Sequence, residues 1–182
     1  MKKRLLMALA AALAVMLLCG CTVHFNVMYD DPDALTSDVD STAALLCTTT
    51  VGDDGSVTVD AEKLAGVLTL SAFTVQNDGT VCAAESTLAC TSGEAKLVLV
   101  NTDEKTIAAE WPLSGGAEMT ATLDAGRYAL RLAAQDAALE GEVHLTLDGE
   151  AVTWEDPVDS ILHALEGAED ALQSAFGDEP AA

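Results

Sequence analysis

The chain has 182 residues, half of them apolar but only 4% aromatic, and carries a formal net charge of -22 from 8 basic and 30 acidic side chains. Charge of that sign and size repels nucleic acid and anionic headgroups, which excludes nucleic-acid binding. The apolar content excludes disorder throughout, and Ala, Val and Leu must fill the core.

Lys2, Lys3 and Arg4 precede an unbroken apolar stretch from Leu5 to Cys19, followed by small residues, the three-part layout of a secretory signal over residues 1–20. A helix rises about 1.5 Å per residue and a bilayer core is about 30 Å thick, so this stretch is short for a permanent span. The tetrapeptide Leu18-Cys19-Gly20-Cys21 resembles the lipobox of bacterial lipoproteins. The resemblance implies cleavage between Gly20 and Cys21 and a diacylglyceryl group on the Cys21 thiol. It thus implies a partner membrane, with the protein lipid-anchored on its extracytoplasmic face. Two acyl chains give stable attachment where one gives only marginal binding. Loss of residues 1–20 removes three basic and no acidic side chains, leaving 162 residues with a formal charge of -25.

Residues 21–42 are expected to form a lipid-anchored acidic tether. Asp30 to Ser41 holds five aspartates and one proline, a solvated spacer by composition, without the glycine turn and closing glutamate of an EF-hand. The more apolar Val23 to Tyr29 either docks on the domain or touches lipid headgroups, and the sequence leaves both open.

From 43 to 154 apolar residues recur at every second position, the period of half-buried strands. Ile107, Ala109 and Trp111 point one way; Met119, Ala121 and Leu123, then Tyr128, Leu130 and Leu132, then Val143, Leu145 and Leu147 repeat the pattern. Turn formers punctuate it at Gly52-Asp53-Asp54-Gly55, Asn77-Asp78-Gly79 and Asp148-Gly149, the last predicting a tight hairpin. A slip of phase between Leu70 and Phe73 predicts a bulge near Ser71 and Ala72. Asp60 to Gly66 is expected to make one helical turn, capped by Asp60 and stopped by Gly66. About eight to ten short strands at this spacing predict a mainly β fold, an antiparallel β-sandwich of immunoglobulin-like or jelly-roll type. After Trp154 the period becomes helical: Asp156 and Pro157 open and Gly177 closes an amphipathic helix within 155–177, and 178–182 are a disordered tail.

Of the cysteines beyond Cys21, Cys82 and Cys90 bracket a short loop and form the expected disulfide if adjacent strands bring them together; Cys47 is the substitute partner, and reduced buried thiols are the alternative. No zinc spacing occurs, and no nucleophile motif, phosphate loop or metalloprotease motif. His24, His144 and His163 lie in unlike settings. No catalytic residue, metal site or cofactor is therefore assigned, and the chain is not read as an enzyme. Weak ligand candidates are Arg127 and Arg131, which share one face of a strand and are expected to pair with Glu110, Glu118 or Glu142, and Trp154. The last would join Trp111 and Tyr128 in a sugar-binding platform, but all three fall on the apolar phase, which favours core packing. The expectation is a surface lipoprotein with a non-catalytic binding or assembly role toward an unidentified extracytoplasmic protein or glycan, with a carbohydrate-recognition module as the alternative and a cell-envelope enzyme third.

Overall fold

The computed structural model describes residues 25–113 and 119–155. The signal segment, Gly20, Cys21, Glu118 and, apart from Glu155, the expected helix and tail lie outside the described residues. A 3-10 turn, Val27–Asp30, and one short helix, α1 (Pro32–Leu35), come first. Eight strands follow: β1 (Ser41–Val51), β2 (Ser56–Val75), β3 (Thr80–Ser86), β4 (Ala89–Asn101), β5 (Thr106–Pro112), β6 (Met119–Leu123), β7 (Gly126–Leu147) and β8 (Glu150–Ala151). The fold is mainly β, and every pairing is antiparallel within one sheet.

β7 organises the sheet. Along one edge it pairs with β2, from Ser56 opposite His144 to Val75 opposite Gly126. Along the other it pairs first with β3, Cys82 opposite Leu147, and then with β4, ending at Asn101 opposite Tyr128. The sheet therefore has two halves. Around the first part of β7 the order is β2-β7-β4-β5, and around the second part it is β1-β2-β7-β3-β6.

The three long strands break register at one level. β2 is irregular between Ala61 and Gly66 and β4 between Cys90 and Glu94, both opposite the stretch Ala134 to Leu139 of β7, where Asp136 takes φ 50°. Bulges at a shared level bend a sheet. They also reset which residues face inward: Tyr128, Leu130, Leu132 and Ala134 before the break, then Ala137, Leu139, Val143 and Leu145 after it, all buried in one core. β2 contributes Val57, Val59, Ala61 and Leu64 from one half and Leu70, Phe73 and Val75 from the other. One contiguous core thus receives the same face of both halves, and the outer strands β5 and β6 approach each other across it.

The turn expectations at 52–55, 77–79 and 148–149 coincide with strand breaks, and Asp148 and Gly149 take φ 50° and 86° in the hairpin to β8. Leu70 is the extra residue between Thr69 and Ser71, within one or two positions of the expected bulge. The expected helical turn over Asp60 to Gly66 does not form. Those residues continue β2, paired to β1 from Asp60 opposite Thr48 to Gly66 opposite Thr42. Gly66 has φ 100°, a left-handed value that here serves a bulge and not a helix end, and a Cβ there would run into the Ser41 carbonyl.

Candidate functional site

The outer face of the β2-β7-β4-β5 half is not left to solvent. Val67, Val98, Val100 and Ala133 form a second buried cluster, and Leu35 of α1, 1% exposed, completes it with Met28, Tyr29 and Ala34 packed around. The solvated-spacer expectation for this stretch is corrected: residues 25–40 lie along the sheet as a strap. Its only isolated large apolar residue between Tyr29 and Val39 is the one that goes inward, because β4 and β7 present apolar side chains on both faces and need a second cover.

Charge fixes the strap in place. Arg131, opposite Thr69 and Val98, is 2% exposed and reaches the strap from beneath. Its Nη1 donates to the carbonyls of Leu35 at 2.7 Å and Ser37 at 2.6 Å, and more weakly to Ala34 at 3.4 Å. Nη2 donates to the Asp40 carboxylate at 3.0 Å and Nε to Thr69 Oγ1 at 3.1 Å. Thr69 in turn donates its N–H and hydroxyl to Asp40 Oδ1, so the buried charge and its counter-ion are both saturated with partners. That is the condition under which a guanidinium tolerates burial, and the carbonyls it collects at the end of α1 are ones that a helix leaves unbonded.

Lys96 does the same at the other end. Its ammonium donates to Asp30 at 2.8 Å and Glu110 at 2.7 Å and lies 4.6 Å from the centre of the Tyr29 ring. Burial pulls its pKa down, but the hydrogen bonds it donates to Asp30 and Glu110 and the charge of those carboxylates outweigh burial, and the net shift is upward. Asn26 donates to Asp136 at 2.8 Å, and Lys63 pairs with the same carboxylate at 3.0 Å; these two hold Asp136 below the usual carboxylate range. Lys105 pairs with Asp38 at 2.7 Å on the surface. Of the five basic residues beyond residue 20, three bond directly to the strap, so they are spent on the chain's own aspartates. Asp30, Asp38 and Asp40 of the aspartate run are those partners. Among the described residues no group of three His, Cys, Asp or Glu is placed to hold a metal ion.

Of the partners expected for the two arginines, Glu110 pairs elsewhere and Glu118 lies outside the described residues. Arg127 grips Glu155, its Nε 2.9 Å and its Nη2 2.6 Å from Oε2, while Glu110 belongs to Lys96. Hydrogen bonding to Glu155 raises the Arg127 pKa. The two arginines are thus brought into separate pairs and not into one anion site. Trp154 packs edge-on against Phe73, ring centres 5.8 Å apart, and Phe73 stacks on Tyr128 at 5.9 Å. Trp111 and Tyr128 are buried, so the aromatics form core and not a platform, as their phase in the strands indicates. The half-buried Trp154 indole N–H has no acceptor among the described residues.

Cys82 and Cys90 are not bridged, and all three described cysteines are free. The register gives the reason. Cys82 lies opposite Leu147 and Cys90 opposite Leu139, eight positions apart on the same strand. At about 3.3 Å per residue that is about 26 Å, far beyond the 5.5–6 Å that a disulfide spans between Cα atoms. Burial drives the Cys82 pKa up to about 12.

What sequence reasoning missed is the strap and its two buried cations. The available signal is the unbroken apolar run from Leu97 to Val100, which leaves β4 no polar face there. Among the described residues no helix is long and apolar enough to cross a membrane.

No family model matches the chain, and no curated protein matches it. Among solved structures it is similar to the C-terminal CBM6 of LamC, a marine laminarinase from Zobellia galactanivorans, at 10% identity and TM-score 0.38, covering 58% of this chain and 90% of that one. It is similar also to the pre-peptidase C-terminal domain of a collagenase from Bacillus anthracis, at 16% identity and TM-score 0.33, covering 60% and 89%. A family two carbohydrate esterase from Cellvibrio japonicus follows at 11% identity and TM-score 0.29, covering 65% and 37%. Likeness of this degree carries no inference about activity.

Proposed function

We propose that this chain is a bacterial surface lipoprotein, held to the membrane through Cys21, whose body is a β-sandwich with a non-catalytic role in binding or assembly. The observation that carries the reading is the tetrapeptide Leu18-Cys19-Gly20-Cys21 behind a basic start and an apolar run. The strap supports it. Only Thr22, Val23 and His24 separate Cys21 from residues that lie along the sheet. Three extended residues reach about 10 Å, so the anchor would be a short mount and the body would stand close to the bilayer. The two halves of the sheet, closed over one core, support the sandwich reading.

Mass spectrometry of the native product tests the anchor. A mature chain beginning at Cys21 and heavier by a diacylglyceryl group is expected, with Cys21→Ser giving an unlipidated product that leaves the membrane fraction. An unprocessed methionine start, or an unmodified Cys21, would sink the reading.

A further inference from the structure

β1 is an edge strand without the charge, proline or brevity of the other outer strands, and its one irregularity is Leu46, at φ 46°, which the pairing skips. Among the described residues it pairs only with β2, and the opposite edge of its eleven residues meets no other described strand. From Ser41 to Val51 it holds no charged side chain, in a chain where 21% of residues are charged. Leu45, Leu46 and Val51 are 56%, 68% and 44% exposed, and Thr48, Thr49 and Thr50 add a β-branched, exposed stretch. Outer strands are normally blunted by charge, proline or brevity. β5 has Glu110 and Pro112, and β6 has only five residues.

An open edge of this kind pairs with an extended chain, and charge decides which chain. Asp38 and Asp40 stand before β1 already paired with Lys105 and Arg131, and the exposed Asp53 and Asp54 follow it. Beside it on the sheet Asp60 sits directly opposite Glu140, two like charges on neighbouring strands, with Glu142 next along. A second copy pairing antiparallel about Leu46 would set Asp53 and Asp54 of each copy beside strap residues whose cations are already committed, and would offer them no free basic end. Two chains of charge -22 add general repulsion.

We infer that the free edge of β1 is a docking site for an extended segment of another protein, uncharged and β-branched in its middle and carrying Lys or Arg where it meets Asp53 and Asp54. Main-chain hydrogen bonds supply the attachment, Leu45 and Leu46 give the incoming side chains apolar surface, and Asp53 and Asp54 select the basic end. The inference does not depend on the lipid anchor.

The test uses the full-length product in detergent and two short synthetic peptides, each with a Thr-Val-Thr-Val-Thr centre, one with two basic and one with two acidic residues at each end. Calorimetry should show the basic peptide binding at least about tenfold more tightly than the acidic one, and weakening as salt rises from about 50 to about 300 mM. Amide hydrogen exchange should slow within residues 41–51. The double variant Leu45→Lys, Leu46→Lys changes only exposed side chains and should abolish binding while its circular dichroism stays that of the parent. Absence of binding by the basic peptide, equal binding of the two, protection outside β1, or self-association of the protein through β1 without peptide would each overturn the inference.

Discussion

Arg131 shows how much of this molecule turns on single cations. Among the described residues it is the largest fully buried side chain, and it connects three strap residues, Leu35, Ser37 and Asp40, to β2 and β7. Arg131→Met leaves Asp40 without its cation and two short carbonyl contacts without a donor. Removal of one partner from a buried charged cluster costs about 3–5 kcal/mol, so urea unfolding should report a loss of that order, and residues 27–40 should become sensitive to protease. Arg131→Lys should not restore stability, since one ammonium cannot reach acceptors arranged around a planar fork. An unchanged urea midpoint would mean that Arg131 adds nothing to the hold that Leu35 and Lys96 already have on the strap. At Cys82 the sign is equally definite. Its thiol ionises near 9.0 when unfolded and is pushed up to about 12 when folded, so the folded state keeps a proton that the unfolded state releases between those values. Stability from this group is fully present below pH 9.0 and falls as pH rises toward about 12. In the folded protein at pH 8 a thiol reagent should modify Cys47 and Cys90 well before Cys82; equal rates for all three would contradict the burial.

At the scale of elements, the bends matter more than the straight runs. Gly66→Ala places a Cβ against the Ser41 carbonyl at φ 100°. Strain at such a position, together with the clash, should lower the melting temperature by several degrees, whereas Gly79→Ala, whose Cβ would meet nothing, isolates the conformational share alone. Similar losses for both would show that packing at Gly66 adds nothing. The same elements mark what could be read from the chain. Alternation along Ile107 to Trp111 and Tyr128 to Leu132, and the turn at Asp148-Gly149, are local signals, and the strands formed where those signals lay. The stretch Asp60 to Gly66 imitated a capped helical turn, but β1 and β7 hold it from both sides, and pairing on two edges outweighs a cap's contribution of about 1 kcal/mol. The strap was illegible for the opposite reason. Its composition is that of a spacer, and its burial depends on Arg131 and Lys96, about 65 to 100 residues downstream, which no local pattern connects to it. Cys82 and Cys90 looked paired because sequence distance was short, while the register of β7 sets them far apart.

For the whole molecule, charge is the dominant global term. Thirty acidic groups face eight basic ones, and several of the latter are already committed to internal pairs. Salt screens exposed charges beyond about 10 Å at 0.1 M while leaving the buried Arg131 and Lys96 contacts largely intact. The melting temperature should therefore rise between about 20 and about 500 mM sodium chloride, and scanning calorimetry at both concentrations checks it. A fall would mean that exposed pairs such as Lys105 with Asp38 outweigh the self-repulsion.

The central position of β7 also has a bearing on timing. When residues 41–112 have emerged from the ribosome, only the β1-β2 and β4-β5 ribbons have found neighbours, and isolated two-stranded ribbons are marginal in water. Nothing joins them until the stretch ending at Leu147 arrives. A polypeptide built this way stays open until its last long strand has been made, and snaps shut only then.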